Sequence, residues 1–202
     1  ICKKRNIKIV EDASESLGTY FKSGKYKGKH TGTVGDVGCI SFNGNKIITT
    51  GGGGAIITNS IKISKEFYYL STQAKDNNIF FIHNKIGYNY RMSNLNAAIG
   101  IAQLQKIKHY LKLKKNIHKL YNLSMKKFSN IKLLQNPSYS NSNNWLNAIF
   151  VLNKNKSTFK KIFNNLLDNN INVRPVWFPN HLQKPFKKYQ KYKIKNANII
   201  YK

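Results

Sequence analysis

The stretch Ser41-Phe42-Asn43-Gly44-Asn45-Lys46-Ile47-Ile48-Thr49-Thr50-Gly51-Gly52-Gly53-Gly54 decides how the chain is read. Val37 to Phe42, just ahead of it, has the apolar, β-branched character of a short buried strand, and Ala55 to Thr58 reads as another. Lys46 therefore sits just past a strand end, among small residues, with hydroxyls at Ser41, Thr49 and Thr50. A lysine crowded against a glycine loop loses water, which favours a neutral amine able to attack a carbonyl. The four glycines either let the backbone approach a ligand such as a phosphate or simply form a tight turn between strands. They are not a P-loop, since no Gly-Lys-Ser/Thr follows. They are not a dinucleotide fingerprint either, since a strand and not a helix comes next.

Working outward, Asn6 to Val10 reads as a buried strand that runs into Glu11-Asp12. In open α/β sheets ligands meet the carboxyl ends of strands, so an acid pair there is placed for a site. Asp at a helix start is the competing reading. Acids are scarce: the chain has seven, and Glu11, Asp12, Glu15 and Asp36 fall close together. Gly24 to Gly35 is a Gly/Lys/Thr loop, Ile61 to Leu70 a helix, and Asp76 to Tyr90 an irregular aromatic segment. Ser93 is placed to cap a long helix whose apolar positions, Leu95, Ile99, Ala102, Leu104, Ile107, Leu111 and Ile117, recur at a helical period. Past Leu123 the character changes. Pro137 to Asn144 is a polar loop, Trp145 to Leu152 a strand, Thr158 to Leu167 a helix, Ile171 to Val176 a strand and Leu182 to Tyr189 a short helix. This β-α-β order predicts a second, smaller α/β unit.

With 202 residues, 41% of them apolar, the chain can form a real core, and no apolar run is long enough to cross a bilayer. The net charge of +28 invites a polyanion-binding reading. The cations, however, are nearly all lysine and lie scattered along the chain; the arginines are Arg5, Arg91 and Arg174. Phosphate and base recognition favours the rigid fork of arginine, so the charge is read as a solvated surface with coding bias, and neither a nucleic-acid nor a membrane partner is expected. Cys2 and Cys39 are too few for a disulfide scaffold and lack metal-type spacing, so a reducing, cytoplasmic setting and no metal are expected. The opening Ile1-Cys2-Lys3-Lys4 reads as the middle of an element, and a fragment without its N-terminal part is expected.

Four blocks stand in a definite order: Glu11-Asp12-Ala13-Ser14-Glu15-Ser16-Leu17-Gly18, then Gly35-Asp36-Val37-Gly38-Cys39-Ile40-Ser41-Phe42-Asn43-Gly44-Asn45-Lys46, then Thr50 to Gly54, then Gly87-Tyr88-Asn89-Tyr90-Arg91-Met92-Ser93. Together they resemble the pyridoxal-phosphate-dependent sugar-nucleotide aminotransferases of the DegT/DnrJ/StrS type, across nearly the whole chain. The resemblance implies an α/β fold. Residues 1–105 would be the C-terminal part of a fold type I PLP-binding domain, and residues 106–202 a connecting helix with a small α/β C-terminal domain. It implies that Lys46 bonds to the cofactor aldehyde and, once released by the amino donor, moves a proton between the substrate carbon and the cofactor. Asp12 would pair with the pyridine nitrogen, keeping it protonated so that the ring acts as an electron sink. Glu15, one helical turn on, would reach the ring near its phenolic oxygen; many relatives have Gln there. Ser41 would donate to the cofactor phosphate, and Asn89 would reach that phosphate across a homodimer interface.

The segment Asn172 to Pro185 is similar to the family's substrate segment. Arg174 would bind a diphosphate or sugar hydroxyls, Trp177 would form an apolar wall, and His181 would bond the sugar or nucleotide. Trp145 reads as readily as core, and His83 and Asn84 rank below the rest. The phrases Ser41 to Thr50 and Arg174-Pro175-Val176-Trp177 are similar to those of the subgroup that makes 4-amino-4,6-dideoxy-N-acetyl sugars on a UDP or GDP carrier for bacillosamine- or legionaminic-type glycans, with glutamate as the implied donor. Some members of the family are sugar dehydratases that carry histidine in place of the lysine; Lys46 favours transamination. A basic polyanion-binding protein, and an inactive fragment lacking a preceding phosphate cradle and ring-stacking aromatic, are the remaining alternatives.

Overall fold

Strand pairing around the Lys46 stretch follows from where β-branched residues and glycines alternate. A computed structural model describes residues 1–77, 79–152 and 156–201, the side chain of Lys156 excepted. Strand β1 (Val10–Asp12) lies parallel to β3 (Val37–Ser41), and β4 (Gly54–Ile57) runs antiparallel on the other side of β3, giving the order β1-β3-β4. The two-residue β2 (Tyr20–Phe21) pairs antiparallel with β6 (Ser140–Asn141), bringing the segment after residue 139 back onto the loop after β1. β5 (Ile131–Leu133) and β7 (Ile149–Val151) form a further ribbon. The helices are α1 (Ile61–Ser71), α2 (Asn94–Gln105), α3 (Ile107–Met125), α4 (Lys156–Asp168) and α5 (Lys195–Tyr201).

By contacts the chain divides into two units: residues 1–127 with 133–148, and residues 128–132 with 149–202. The boundary expected between residues 105 and 106 falls inside the first unit. Its core shows why. Ile47, Ile48 and Trp145 are buried together, and Ile107, Tyr110 and Leu111 of α3 pack against them with Leu17 and Phe42. Burying one such aliphatic side chain stabilises by about 1.5–3 kcal/mol, so α3 is held to the sheet by the residues that follow Lys46.

The long helix from Ser93 is two helices. Ser93 caps the first as expected, its hydroxyl accepting from the Asn96 amide at 3.2 Å. The break falls at Lys106, whose φ of −98° and ψ of 2° leave the helical region. The two halves answer to different anchors. Asn96 and Gln103 of α2 bond the Thr50 carbonyl and the Thr49 amide, whereas α3 follows the Ile47/Ile48/Trp145 cluster. The apolar stripe is largely exposed on α2, including Leu95, Ile99 and Leu104.

Two strand readings also differ. The first strand is shorter and later than expected, and Ile7, Ile9 and Val10 are exposed rather than buried. Among the described residues, Ile171 to Val176 has no strand pairing; this Pro-containing segment is without regular secondary structure. Two short 3-10 turns, Asn180–Leu182 and Lys184–Phe186, replace the single helix expected over Leu182 to Tyr189. The tetraglycine bends the end of the 42–53 loop into β4, whose first residue is Gly54. Gly51 and Gly53 have φ of 80° and 88°, and a Cβ on Gly54 would lie 2.4 Å from the Ile40 carbonyl oxygen, so the close approach is to the neighbouring strand.

Candidate active site

The parallel register sets the site. Asp12 is level with Cys39, and Ser41 lies two residues further along β3, so a carboxylate and a hydroxyl occupy the carboxyl ends of adjacent parallel strands. Lys46 lies in the turn beyond Ser41. Its amide donates to the Asn43 carbonyl at 3.0 Å, and the buried Ile47 and Ile48 fix the backbone behind it. The Lys46 side chain is only 13% exposed. Its Nζ lies 3.5 Å from Glu15 Oε1 and 4.1 Å from the centroid of the Trp145 ring.

The acid pair after the first strand splits into two roles. Glu11 is structural: its carboxylate accepts from the amides of Gly32 at 2.9 Å, Val34 at 2.6 Å and Gly35, tying the glycine loop to β1. Asp36 is structural as well, accepting from the Ile9 amide at 2.9 Å and pairing with Lys8 at 3.1 Å. Asp12 remains exposed at the strand end. Its Oδ1 accepts from both the hydroxyl and the amide of Ser14. The Ser14 hydroxyl first, then the Ser14 amide, and lastly the charge of Lys46 hold its carboxyl below the usual carboxylate range, against an opposing effect of burial. No helix follows it. Residues 13–19 form successive turns, so Glu15 reaches Lys46 from a turn and not from the shared helical face that the sequence suggested.

These turns are held from a distant part of the chain. The Asn143 side-chain amide donates to the carbonyls of Glu15 at 2.9 Å and Leu17 at 3.0 Å, and its backbone amide donates to Thr19 Oγ1 at 3.0 Å. Asn143 Oδ1 accepts from the Trp145 amide at 3.0 Å, and the Trp145 indole N–H donates to the Asn45 carbonyl at 2.6 Å. Behind them α3 contributes Lys114, which donates to the Trp145 carbonyl at 3.2 Å, and His118, 2.8 Å from Asn147 Oδ1. Sequence reasoning missed Asn143, which lies in a run read as a polar loop, and left Trp145 undecided. His30 closes the same region. Its Nε2 accepts from the Gly18 amide at 2.7 Å, and burial holds its imidazole below the ordinary histidine value.

The other candidates lie elsewhere. Asn89, exposed, pairs with Thr72 in an isolated bridge and lines a cavity of about 420 Å³ with Tyr68, Tyr69, Lys75 and Arg91. Arg91 Nη1 donates to the Tyr68 hydroxyl at 3.1 Å. Gly87 lets this segment lie against the end of α1, where a Cβ would come within 2.4 Å of the Ala74 nitrogen. His83 Nδ1 is 2.7 Å from the Gln73 carbonyl, and the Asn84 amide donates to Asp76. Arg174, Trp177 and His181 belong to the second unit. There Arg174 is exposed, Trp177 is 72% exposed, and His181 Nε2 is 2.9 Å from Asn198 Oδ1.

A largely buried lysine beyond a strand end, a carboxylate held ionised at the end of the neighbouring parallel strand, and a strand-end hydroxyl suit a phosphorylated carbonyl cofactor. The fold is α/β, of the fold type I seen in PLP-dependent transferases, and solved structures share it. The chain covers 99% of itself and 53% of Helicobacter pylori PseC, an aminotransferase involved in the biosynthesis of pseudoaminic acid, at a TM-score of 0.83 and 22% identity. The chain belongs to the DegT/DnrJ/EryC1/StrS aminotransferase family, which it matches over residues 1–202. Aminotransferases of this family use pyridoxal 5′-phosphate. Among relatives, EpsN of Bacillus subtilis (strain 168) is 36% identical over 92% of this chain and 46% of its own length. The GDP-perosamine synthase of Escherichia coli O157:H7 is 33% identical over 96% and 51%. The chain thus spans about half the length of the curated relatives it matches.

Proposed function

We propose that this chain carries the lysine half of a PLP-dependent transaminase that moves an amino group, from glutamate, to a 4-keto-6-deoxy sugar nucleotide for cell-surface glycan synthesis in the cytoplasm. The observation that carries the reading is Lys46, 13% exposed, its amine beside the Glu15 carboxylate at the edge that also bears Asp12 and Ser41. When bound, pyridoxal phosphate supplies the electron sink that stabilises charge at the substrate carbon. Asp12, kept ionised by Ser14, would hold the ring nitrogen protonated. Ser41 would donate to the phosphate. Lys46 would hold the cofactor covalently and, once freed, carry the proton to and from the reacting carbon. Glu15 would orient the freed ammonium.

Asn89 would complete the phosphate site of a second copy in a homodimer, and Arg174, Trp177 and His181 would bind the nucleotide sugar. The carrier proposed is UDP, on the phrases Ser41 to Thr50 and Arg174 to Trp177; the similarity to a GDP-perosamine synthase makes GDP the competing carrier. Lysine at position 46 favours transamination over dehydration. The test follows the visible absorbance of the cofactor-loaded intact protein on addition of glutamate, then of UDP- and GDP-linked 4-keto sugars. Loss of the band with glutamate and its return with a UDP-linked sugar, with an amino sugar as product, is expected. A deoxygenated sugar without amino transfer would overturn the reading.

A further inference from the structure

We propose that Trp145 is the positioning residue of Lys46, holding both the backbone before it and the free ammonium at its tip; the inference rests on the reading of Lys46 as the reactive lysine. Three observations converge. The indole N–H donates to the carbonyl of Asn45, the residue immediately before Lys46, at 2.6 Å, which fixes where the Lys46 side chain starts. The face of the same ring lies 4.1 Å from Nζ, which fixes where it ends. The ring itself does not move freely. It is buried against Ile47 and Ile48, its amide is held by Asn143, and its carbonyl is held by Lys114.

A cation over an indole face is attracted by the ring's negative quadrupole, and the attraction grows as water is excluded. Glu15 adds a carboxylate oxygen 3.5 Å from the same amine, and Asn143 places both partners, since it bonds the Glu15 carbonyl and the Trp145 amide. Lys46 alternates between a covalently held and a free amine during the proposed reaction. The cradle gives the free form a defined resting place, so that its proton is delivered from one position.

A tryptophan that only filled the core would do none of this, and fluorination separates the two roles. Ring fluorines drain the quadrupole while nearly preserving shape and packing. The chain has two tryptophans, Trp145 and Trp177. Tryptophans of increasing fluorine number are therefore inserted at position 145 alone by stop-codon suppression, leaving every other tryptophan of the intact protein unchanged. The intact protein, freed of cofactor, is pulse-acetylated at one pH, and each lysine is quantified by peptide mass spectrometry. Lys46 acetylation is expected to rise with each added fluorine, by about two- to thirtyfold across the series, the range such a contact spans, while Lys114 and the surface lysines do not change. Trp145→Leu is expected to expose Lys46 at least as much as the most fluorinated ring. A flat series at Lys46, or an equal change at all lysines, would overturn the proposal, whether or not Trp145→Leu folds. Borohydride trapping of the cofactor on a different lysine would sink the reading of Lys46 instead, while the fluorination series would still report on the ring–ammonium contact by itself.

Discussion

The Lys46 edge and the Arg174 segment carry equally recognisable motifs, yet they are built differently. Lys46 is framed by contacts from residues 15 and 145, both held by Asn143, and backed by buried Ile47 and Ile48. In the second unit, Ile171 to Val176 has no ladder among the described residues, and Arg174 and Trp177 stand exposed. The first site is preorganised by its own chain, as a group that must deliver a proton at one atom requires. The second presents side chains that a ligand would have to order, which the proposed recognition of a nucleotide sugar permits.

Substitutions can break that contrast. Ile48→Ala should cost about 2–5 kcal/mol of unfolding free energy, as for other buried aliphatics. It should also lower cofactor retention by loosening the Lys46 turn; denaturant unfolding and dialysis measure both. Asn143→Ala should cost about 1–3 kcal/mol, since it strands the carbonyls of Glu15 and Leu17 and the amide of Trp145. Trp177→Ala, by contrast, should stay within about 0.5 kcal/mol of the parent while raising KM for the nucleotide sugar. Equal destabilisation by Ile48→Ala and Trp177→Ala would erase the distinction between the two regions.

Two smaller effects are read in pH. His30 must be neutral at Nε2 to accept from Gly18, and burial lowers its value in the fold. The fold therefore binds fewer protons than the unfolded chain. The contribution is full above the unfolded histidine value of about 6.5. It is lost as pH falls from there through the folded value. Thermal unfolding of His30→Gln should be less sensitive to acid over that window than that of the parent. Asp12 is also lowered, so its contribution is present above about 3.9 and lost as pH falls through the folded value. Ser14→Ala should move the Asp12 midpoint, followed by carboxyl-carbon NMR, upward toward the ordinary value.

Much of this was legible in the sequence because it is local. The apolar runs of Val37 to Ser41 and Ala55 to Ile57, the cap at Ser93 and the apolar spacing of α1 and α4 each lie within a few residues. The placing of Asp12, Ser41 and Lys46 at one edge followed from strand ends. What was not legible is long-range. The indole of Trp145 bonds a carbonyl 100 residues away, and Asn143 reaches Glu15 across 128, so nothing near either residue signals its role. The break at Lys106 is set by two separate anchors, and the 171–176 segment has no neighbouring strand among the described residues, which its β-branched residues alone cannot supply.

The most direct measurement reduces the cofactor-loaded intact protein with borohydride and locates the phosphopyridoxyl group by peptide mass spectrometry. The label is expected on Lys46, and it should be lost, with the visible band, in Lys46→Ala. A label on any other lysine, or an unchanged band in Lys46→Ala, would contradict the assignment of Lys46 as the reactive amine.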